Sequence, residues 1–514
     1  MTPLLTLPTA LLATLSRFAT PTPRNPSQNA RLFGGPISSR TRPTAPAGLS
    51  AVVIGGGLAG LAAATVLAER GVATTVVERE PTLGGRLASW PVTLPDGTTM
   101  LMERGFHAFF RHYYNLRQLM RRWDPELSHL VPLVDYPILG PEGALLRFDR
   151  LPKKTPWNVA AVALRGRQWM GLGDLTKVDF KLALAMITTR TDEALGRWDS
   201  LTARDYLDGL NFPPKARRML FNVFAHSFFN PEDEMSASEL LAMFRFYFTG
   251  NPEGLVFDVM NDPFSTAFIE PWAAYLGSLG VQFRTGVGAD SVRRSGMRFE
   301  TTLGGETVSS DLAVLALEVD GLRKLSGANE LFQSSDLHAV NGLTATAPFA
   351  VHRLWLDRRP NPDRDPFAGT SGLGRLDNIS IYERFEGESR RWSERTGGSV
   401  VELHAYGLAT PFDDDELKRE LRWALDTYYP ELAGANVLHD EWLVRQDCPS
   451  FPVGSHAKRP TVGTSTPGLA LAGDFIRLPF PSALMERAVT SGLMAANHLL
   501  EAHAVTPEPI WFQG

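Results

Sequence analysis

The chain has 514 residues, with 51 Lys and Arg against 56 Asp and Glu, a net charge of −5 and 44% apolar residues. That balance fits two or three globular domains and argues against nucleic acid as a partner. Cys448 is the single cysteine, which excludes an intrachain disulfide, a cysteine-ligated zinc and an iron–sulfur cluster on this chain; no H-E-x-x-H or comparable histidine spacing calls for a metal.

Residues 1–50 hold no acid, carry Arg17, Arg24, Arg31, Arg40 and Arg42, and are rich in Pro, Ser and Thr. They are expected to be a flexible tail. Apolar residues at helical spacing (Leu4, Leu7, Leu11, Leu15, Phe18) leave an interfacial anchor open, and the composition leaves a transit-type presequence open. No charged region precedes the apolar part, so a secretory signal is poorly supported. No apolar run in the chain reaches the roughly 18–20 residues that span a bilayer, and no G-x-S-x-G hydrolase signature occurs.

Ala51–Glu78 is the most informative stretch. A β-branched run, Ala51–Ile54, leads into Gly55-Gly56-Gly57-Leu58-Ala59-Gly60, which contains G-x-G-x-x-G. An Ala/Leu-rich helix then runs to Arg70, and Gly71 closes it. A second strand, Thr74–Val77, ends on Glu78. Gly55 allows the tight turn, Gly57 lets the backbone approach a pyrophosphate, and Gly60 lets helix and strand pack closely. Ala59 belongs to the same cofactor-facing turn. The helix start offers free N–H groups and a positive dipole end to phosphate, and Glu78 stands where an acid binds ribose hydroxyls. Leu83-Gly84-Gly85-Arg86 follows. The glycine pair permits a second close backbone approach, and Arg86 can pair with phosphate bidentately.

Farther on, Glu103–Leu116 reads ERGFHAFFRHYYNL. Residues 152–270 read mostly as helix. Within 151–190, Lys153, Lys154, Arg165, Arg167, Lys177, Lys181 and Arg190 meet only Asp174 and Asp179, with Trp157 and Trp169 interleaved. That mixture suits a membrane surface, and a solvated basic helix face suits it as well. A helix at Trp272–Leu279 and strands at Val281–Arg284 and Asp311–Leu317 return to the nucleotide domain. Residues 325–460 mix strands such as Phe349–Leu356 and Ser399–His404 with a helix near Asp414–Tyr428. Near the C-terminus a strand ends at Gly473-Asp474, where a carboxylate can accept from sugar hydroxyls, and a helix follows with Ser482 as its expected N-cap.

Together these motifs resemble the flavin amine oxidase and carotenoid desaturase superfamily, over nearly the whole chain after its first fifty residues. Glu103–Leu116, Asp135-Tyr136-Pro137, Asp377–Glu386, Gly454–Pro460 and Ala483–Ala488 (ALMERA) look closest to bacterial isorenieratene synthases, the β-carotene desaturase/methyltransferases. The resemblance implies an α/β fold of the two-domain flavin type. A discontinuous FAD domain would comprise residues 51–151, 271–324 and 461–504, with a helical insertion at 152–270 facing substrate and membrane and a substrate-binding sheet at 325–460. It adds Gly105, Val287, Gly473 and Met485 to the cofactor-binding set, implies non-covalent FAD, and implies a carotenoid substrate such as β-carotene. Electrons would leave to a quinone or O2, and the protein would be cytoplasmic and peripheral to the membrane.

The reaction so implied removes four hydrogens from a β-ionone ring and moves one methyl from C1 to C2. Hydride loss leaves a cation, the methyl shifts, a proton leaves, and a second oxidation completes the aromatic ring. Glu103 and His107 are the expected bases; an ion pair between Glu103 and Arg104 and a packing role for His107 are the plainer alternatives. Aromatic residues, among them Phe106, Phe109, Phe110, Phe229, Phe244 and Tyr247, are candidates for the polyene wall. A plain carotene desaturase or isomerase, an amine oxidase and a non-catalytic polyene carrier remain alternatives.

Overall fold

The computed structural model describes residues 26–34, 41–133, 135–143, 145–147, 172–189, 191–249, 253–254, 256–327 and 331–513. The basic segment around Trp157 and Trp169 and the apolar stripe Leu4–Phe18 lie outside the described residues.

Five parallel strands form the nucleotide sheet, in the order Gln282–Thr285, Ala73–Glu78, Ser50–Ile54, Leu312–Leu315 and Leu469–Leu471. Chain segments hundreds of residues apart thus supply neighbouring strands. From Ala51 to Ile54 the strand Ser50–Ile54 is apolar and buried, because a parallel sheet covered on both faces has no solvent side. The helix Leu58–Glu69 crosses from Ser50–Ile54 to Ala73–Glu78, and every residue from Ala59 to Ala68 is buried. It lies between the sheet and the long helix Leu484–Glu501. Where those helices cross, a Cβ on Gly492 would stand 2.1 Å from the Ala59 carbonyl oxygen, so the backbones touch there. Helix Leu484–Glu501 starts one residue later than the expected Ser482 cap allows. Its N-cap is Ala483, with no side-chain cap bond, and the Ser482 hydroxyl is buried without a partner.

Seven strands form the second sheet, in the order Val437–Arg445, Phe349–Leu356, Ser399–Ala405, Asn378–Ile381, Phe367–Thr370, Pro137–Leu139 and Leu145–Arg147. Every residue of Phe349–Leu356 and Ser399–Ala405 is buried. Helix Asp414–Tyr428 covers one face through Leu417, Leu421 and Leu425. The other face is turned toward the cavity described below.

Two expected boundaries are corrected. Pro137–Leu139 and Leu145–Arg147 pair within the second sheet, not with the nucleotide strands, so the first nucleotide segment ends before residue 151. Both strands are three residues long and find their partner near Phe367–Thr370, which leaves no local signal. Residues 1–50 are not a tail throughout: Ala30–Leu32 pairs antiparallel with Trp511–Gln513, and Arg42 bridges Val505. Phe33 packs edge-on against Phe480 and Phe512. An antiparallel meander, Ser291–Ser295, Arg298–Leu303 and Glu306–Ser310, also interrupts the 271–324 block. No helix among the described residues is long and apolar enough to cross a membrane.

The touching helices give a direct test. Gly492→Ala adds a methyl where the Ala59 carbonyl already sits, and overpacking of this kind costs about 1–3 kcal/mol. Chemical denaturation should register that loss; an unchanged midpoint would show that the helices separate freely.

Candidate active site

Glycine geometry shapes the first turn. Gly55 has φ +109°, and a Cβ there would stand 2.3 Å from the Ala316 carbonyl oxygen. A Cβ on Gly60 would fall 1.9 Å from the Gly55 carbonyl oxygen. The Gly84-Gly85 turn runs alongside: Gly84 N–H donates to the Gly56 carbonyl at 2.8 Å, and Gly57 and Gly84 form a parallel bridge. No side chain caps helix Leu58–Glu69 at Gly57, so its first N–H groups remain for an anion. Glu78, at the end of its strand, accepts from Gly56 N–H at 2.7 Å and from Glu80 N–H at 2.9 Å. Each of its oxygens keeps a further lone pair for sugar hydroxyls.

Beside this turn lies a cavity of about 1320 Å³. That exceeds the roughly 300–1,000 Å³ of an ordinary small-molecule site, so it has room for a dinucleotide and a second ligand. Its wall includes Gly55, Gly57, Ala59, Glu78, Gly84 and Gly85, and further along Arg86, His107, Gly473, Asp474 and Met485. Four expected residues stand off it. Gly60 is packed beneath the turn. Val287 donates its N–H to the Glu78 carbonyl at 3.2 Å, and it is its neighbours Gly288 to Asp290 that face the space. Gly105, at φ +105°, is pressed against His404, whose Cε1 would be 2.6 Å from an added Cβ. Glu103 is 2% exposed and sits behind the wall.

Arg86 reaches Asp474 through two parallel bonds of 2.7 and 2.8 Å. Their charges are therefore presented as a pair, and neither side chain stands alone as an ion. Arg104 pairs with Asp447, not with Glu103. Cys448 lies on the cavity wall although it falls outside every motif; burial pushes its thiol up to about 12, against the pull of Arg86, which keeps it protonated. The free helix start, the double glycine approach and the sugar-facing carboxylate fit FAD.

The far part of the wall is aromatic. Phe106, Phe110, Phe228, Phe229, Tyr247 and Phe248 line it, whereas Phe109 and Phe244 are buried in the core. Phe257, Phe349 and Phe367 complete it from other strands. His107 faces the space. Its Nδ1 lies 2.8 Å from the Gly105 carbonyl, which can only accept, so Nδ1 carries the proton and Nε2 keeps its lone pair. Burial pushes this imidazole down to about 4, so it is neutral near pH 7.

A polar network crosses the second sheet to the same wall. Arg353 and Glu402 are register partners on adjacent strands, and Arg353 Nε donates to Glu402 Oε2 at 2.7 Å. Glu402 Oε1 accepts from Phe106 N–H at 2.8 Å, from Tyr382 Oη at 3.0 Å and from His404 Nε2 at 2.7 Å. Burial opposes the Glu402 charge, but Arg353 and the His404 bond outweigh it and hold the carboxyl down to about 2. His404 Nδ1 lies 2.6 Å from Tyr406 Oη, which accepts from Asn378 Nδ2 at 2.9 Å. Glu103 joins this cluster from behind: it accepts from Phe264 N–H at 2.6 Å and lies 3.6 Å from Arg353. Burial pushes Glu103 up to about 8, against the pull of Arg353. Burial likewise pushes Glu386 up to about 7. One guanidinium is matched by one ionised carboxylate, Glu402, and the other two carboxyls are held toward their neutral forms. Sequence reasoning missed this network. Its only trace is VELHAY, where Glu402, His404 and Tyr406 alternate with apolar residues and so share one strand face.

Residues 58–500 match the family described as flavin containing amine oxidoreductase. The chain is 46% identical to a carotenoid phi-ring synthase of Streptomyces griseus over 89% of each chain. It is 27% identical to a carotenoid phi-ring synthase of Chlorobaculum tepidum over 90% of each. Among solved structures, cyclohexylamine oxidase from Brevibacterium oxydans superposes with a TM-score of 0.64 at 15% identity, covering 88% of this chain and 99% of that one; at that identity the likeness concerns the fold.

Two outcomes follow from the site. Glu78→Ala removes the sugar-facing carboxylate and should weaken FAD binding by about 1.5–3 kcal/mol, read by titrating stripped protein with FAD; equal affinity would place the ribose elsewhere. For Glu103, the folded group holds its proton to about 8 whereas an unshifted carboxyl titrates near 4.5. The stability this gives is complete below 4.5 and is lost as pH rises toward 8. Glu103→Gln, neutral throughout, should therefore gain on the wild type as denaturation is repeated from pH 5 to pH 8. A difference that stays flat would mean that Glu103 is ionised in the fold.

Proposed function

Because the chain belongs to the flavin containing amine oxidoreductase family, in which it is an FAD-dependent oxidoreductase, we propose that it desaturates the β-ionone rings of a carotenoid with 1,2-methyl migration, converting β-carotene to isorenieratene. The observation that carries this reading is the joining of the nucleotide turn to a long aromatic wall in one cavity. A polyene has no ionisable handle, so such a wall is what it requires. The two relatives named for carotenoid phi-ring synthesis support a carotenoid over an amine.

FAD, bound without a covalent bond, would supply the two-electron oxidising power. Gly55, Gly57, Ala59, Gly84 and Gly85 would hold its phosphates by backbone approach, and Glu78 would hold its ribose. Backbone groups near Val287 would meet the adenine, and Met485 and the Arg86–Asp474 pair would border the remainder. Phe106, Phe110 and Phe229 exclude water from the cation and lend it π-faces. His107 Nε2 accepts a proton. Its low basicity is no obstacle, because a C–H beside a carbocation is far more acidic than an imidazolium. Glu103, behind the wall, keeps its own proton and supports Arg353. Electrons then leave to a quinone or to O2.

The same reading puts the protein at the cytoplasmic face of a membrane. Helix Phe180–Thr188 exposes 66% of Phe180 and 57% of Leu184 beside Lys181, an apolar surface suited to the lipid interface, while the basic excess that would favour anionic lipid comes from the rest of 151–190 in the sequence.

Expression in a β-carotene-producing host tests the reaction. The product should lose eight hydrogens at unchanged carbon count, and acid precipitation of the purified protein should release its flavin. His107→Ala, once shown to hold FAD, should slow ring formation by about 10²–10⁴-fold. A product that has lost hydrogens but kept geminal methyls would make the enzyme a plain desaturase. Sedimentation with anionic liposomes should weaken as salt is raised; binding indifferent to salt and lipid charge would overturn the electrostatic part of the membrane reading.

A further inference from the structure

Each ring that becomes aromatic loses its four hydrogens as two hydrides and two protons, so the cavity must take up a proton twice for every ring. His107 offers one acceptor. Among the described cavity-lining residues, Tyr406 is backed by an ionised carboxylate through an imidazole, and this step rests on the function proposed above. We propose that Tyr406, His404 and Glu402 form a proton relay that accepts the second proton, with Tyr406 Oη taking it from the substrate carbon.

The hydrogen-bond directions are fixed by the chemistry of the partners. Glu402 Oε1 is an acceptor, so the 2.7 Å contact requires a proton on His404 Nε2; Phe106 N–H, 2.8 Å from Glu402 Oε1 and 3.3 Å from His404 Nε2, then gives its bond to the carboxylate. In the neutral ring Nδ1 is then a lone pair, and the 2.6 Å contact requires Tyr406 to donate its hydroxyl proton to it. Asn378 Nδ2 donates to the phenol oxygen at 2.9 Å, which occupies one of its two lone pairs. The second remains on a side chain that lines the cavity. Asp377 fixes the position of this hydroxyl from the backbone: its Oδ2 accepts from Tyr406 N–H at 2.7 Å. Phe229 packs edge-on against the phenol ring at 4.6 Å.

The step balances. The C–H electron pair stays on the substrate as the new double bond, the preceding hydride having gone to the flavin. The proton bonds to Tyr406 Oη as the hydroxyl proton of Tyr406 passes to His404 Nδ1. The resulting imidazolium is held against the Glu402 carboxylate, which Arg353 keeps ionised. Return of the proton through Tyr406 to water after product leaves resets the chain. Burial raises the Tyr406 phenol, so it never needs to exist as a free phenolate. A lone buried tyrosine would be a poor acceptor; transfer onward to an imidazole paired with a carboxylate removes that barrier.

The test uses FAD-loaded full-length protein and β-carotene in single turnover. Tyr406→Phe removes one oxygen and keeps the ring. It should hold flavin and melt as the wild type does, yet form the aromatic ring about 10²-fold or more slowly. His404→Asn should do the same, and the double variant should be no slower than the slower single, because the groups act as one unit. In the wild type, ring formation should slow in deuterium oxide, an effect that Tyr406→Phe abolishes. Ring formation by Tyr406→Phe within two-fold of wild type would overturn the relay. So would multiplicative losses in the double variant, and so would a wild-type rate unchanged in deuterium oxide, a readout that holds even where a variant fails to fold. Failure of the wild type to make an aromatic ring would instead overturn the proposed reaction.

Discussion

The Arg86–Asp474 pair joins residues 388 positions apart in the sequence, and the site depends on the meeting of chain ends that it marks. Arg86 follows the second strand of the parallel sheet, and Asp474 follows its last. Neither carries a structure alone. The Asp474 side chain is 7% exposed, and a buried carboxylate without its partner would carry the full cost of desolvation. Pairing fixes where the late strand and helix Leu484–Glu501 can lie. The helix is held further by its own polar side chains: Glu486 accepts from the N–H groups of Asn115 and Leu116, and Arg487 bonds the Asp474 carbonyl and Glu239. The segment that brings His107 to the cavity is thus tied to the same helix that borders the cofactor.

The cavity has two chemically opposite parts. One end offers backbone N–H groups, glycines and a carboxylate, the equipment for phosphate and sugar. The other offers aromatic faces. The one guanidinium behind the aromatic part is compensated before any ligand arrives. Arg353 lies 4.0 Å over the Tyr382 ring and bonds Glu402, so its charge is met on two sides. A low-dielectric interior favours one ion pair here over two further carboxylates, which is why Glu103 and Glu386 are both pushed toward their neutral forms. Tyr406 and His107 each bring a lone pair to the cavity wall.

Much of this was legible without coordinates. Gly55, Gly57 and Ala59 of the first turn, the acid at Glu78, the Gly84-Gly85-Arg86 turn and Gly473-Asp474 all sit on the cavity wall, because each motif is local and its geometry is set by neighbouring residues. Gly105 was expected to make a close approach at the flavin ring, and in the fold it stands off the cavity wall against His404. Glu103 read as a candidate base because it shares with His107 the segment that, by resemblance, returns to the flavin face. In a strand that turns sharply at Gly105, four residues put one side chain in front of the wall and the other behind it. Ser482 fails as a cap, since Ala483 takes that place.

The sequence by itself determined the fold class, the family and the cofactor turn, since these rest on short-range patterns: a β-branched run, a glycine spacing, an Ala-rich helix. Tertiary structure alone decided which strands share a sheet and which polar residues act together. Pro137–Leu139 crosses to the second sheet, Ala30–Leu32 docks on Trp511–Gln513, and Arg353 meets Glu402 because their strands are adjacent. Such pairings are made by partners far apart in the chain, where burial and charge compensation select the neighbour and no local preference records it.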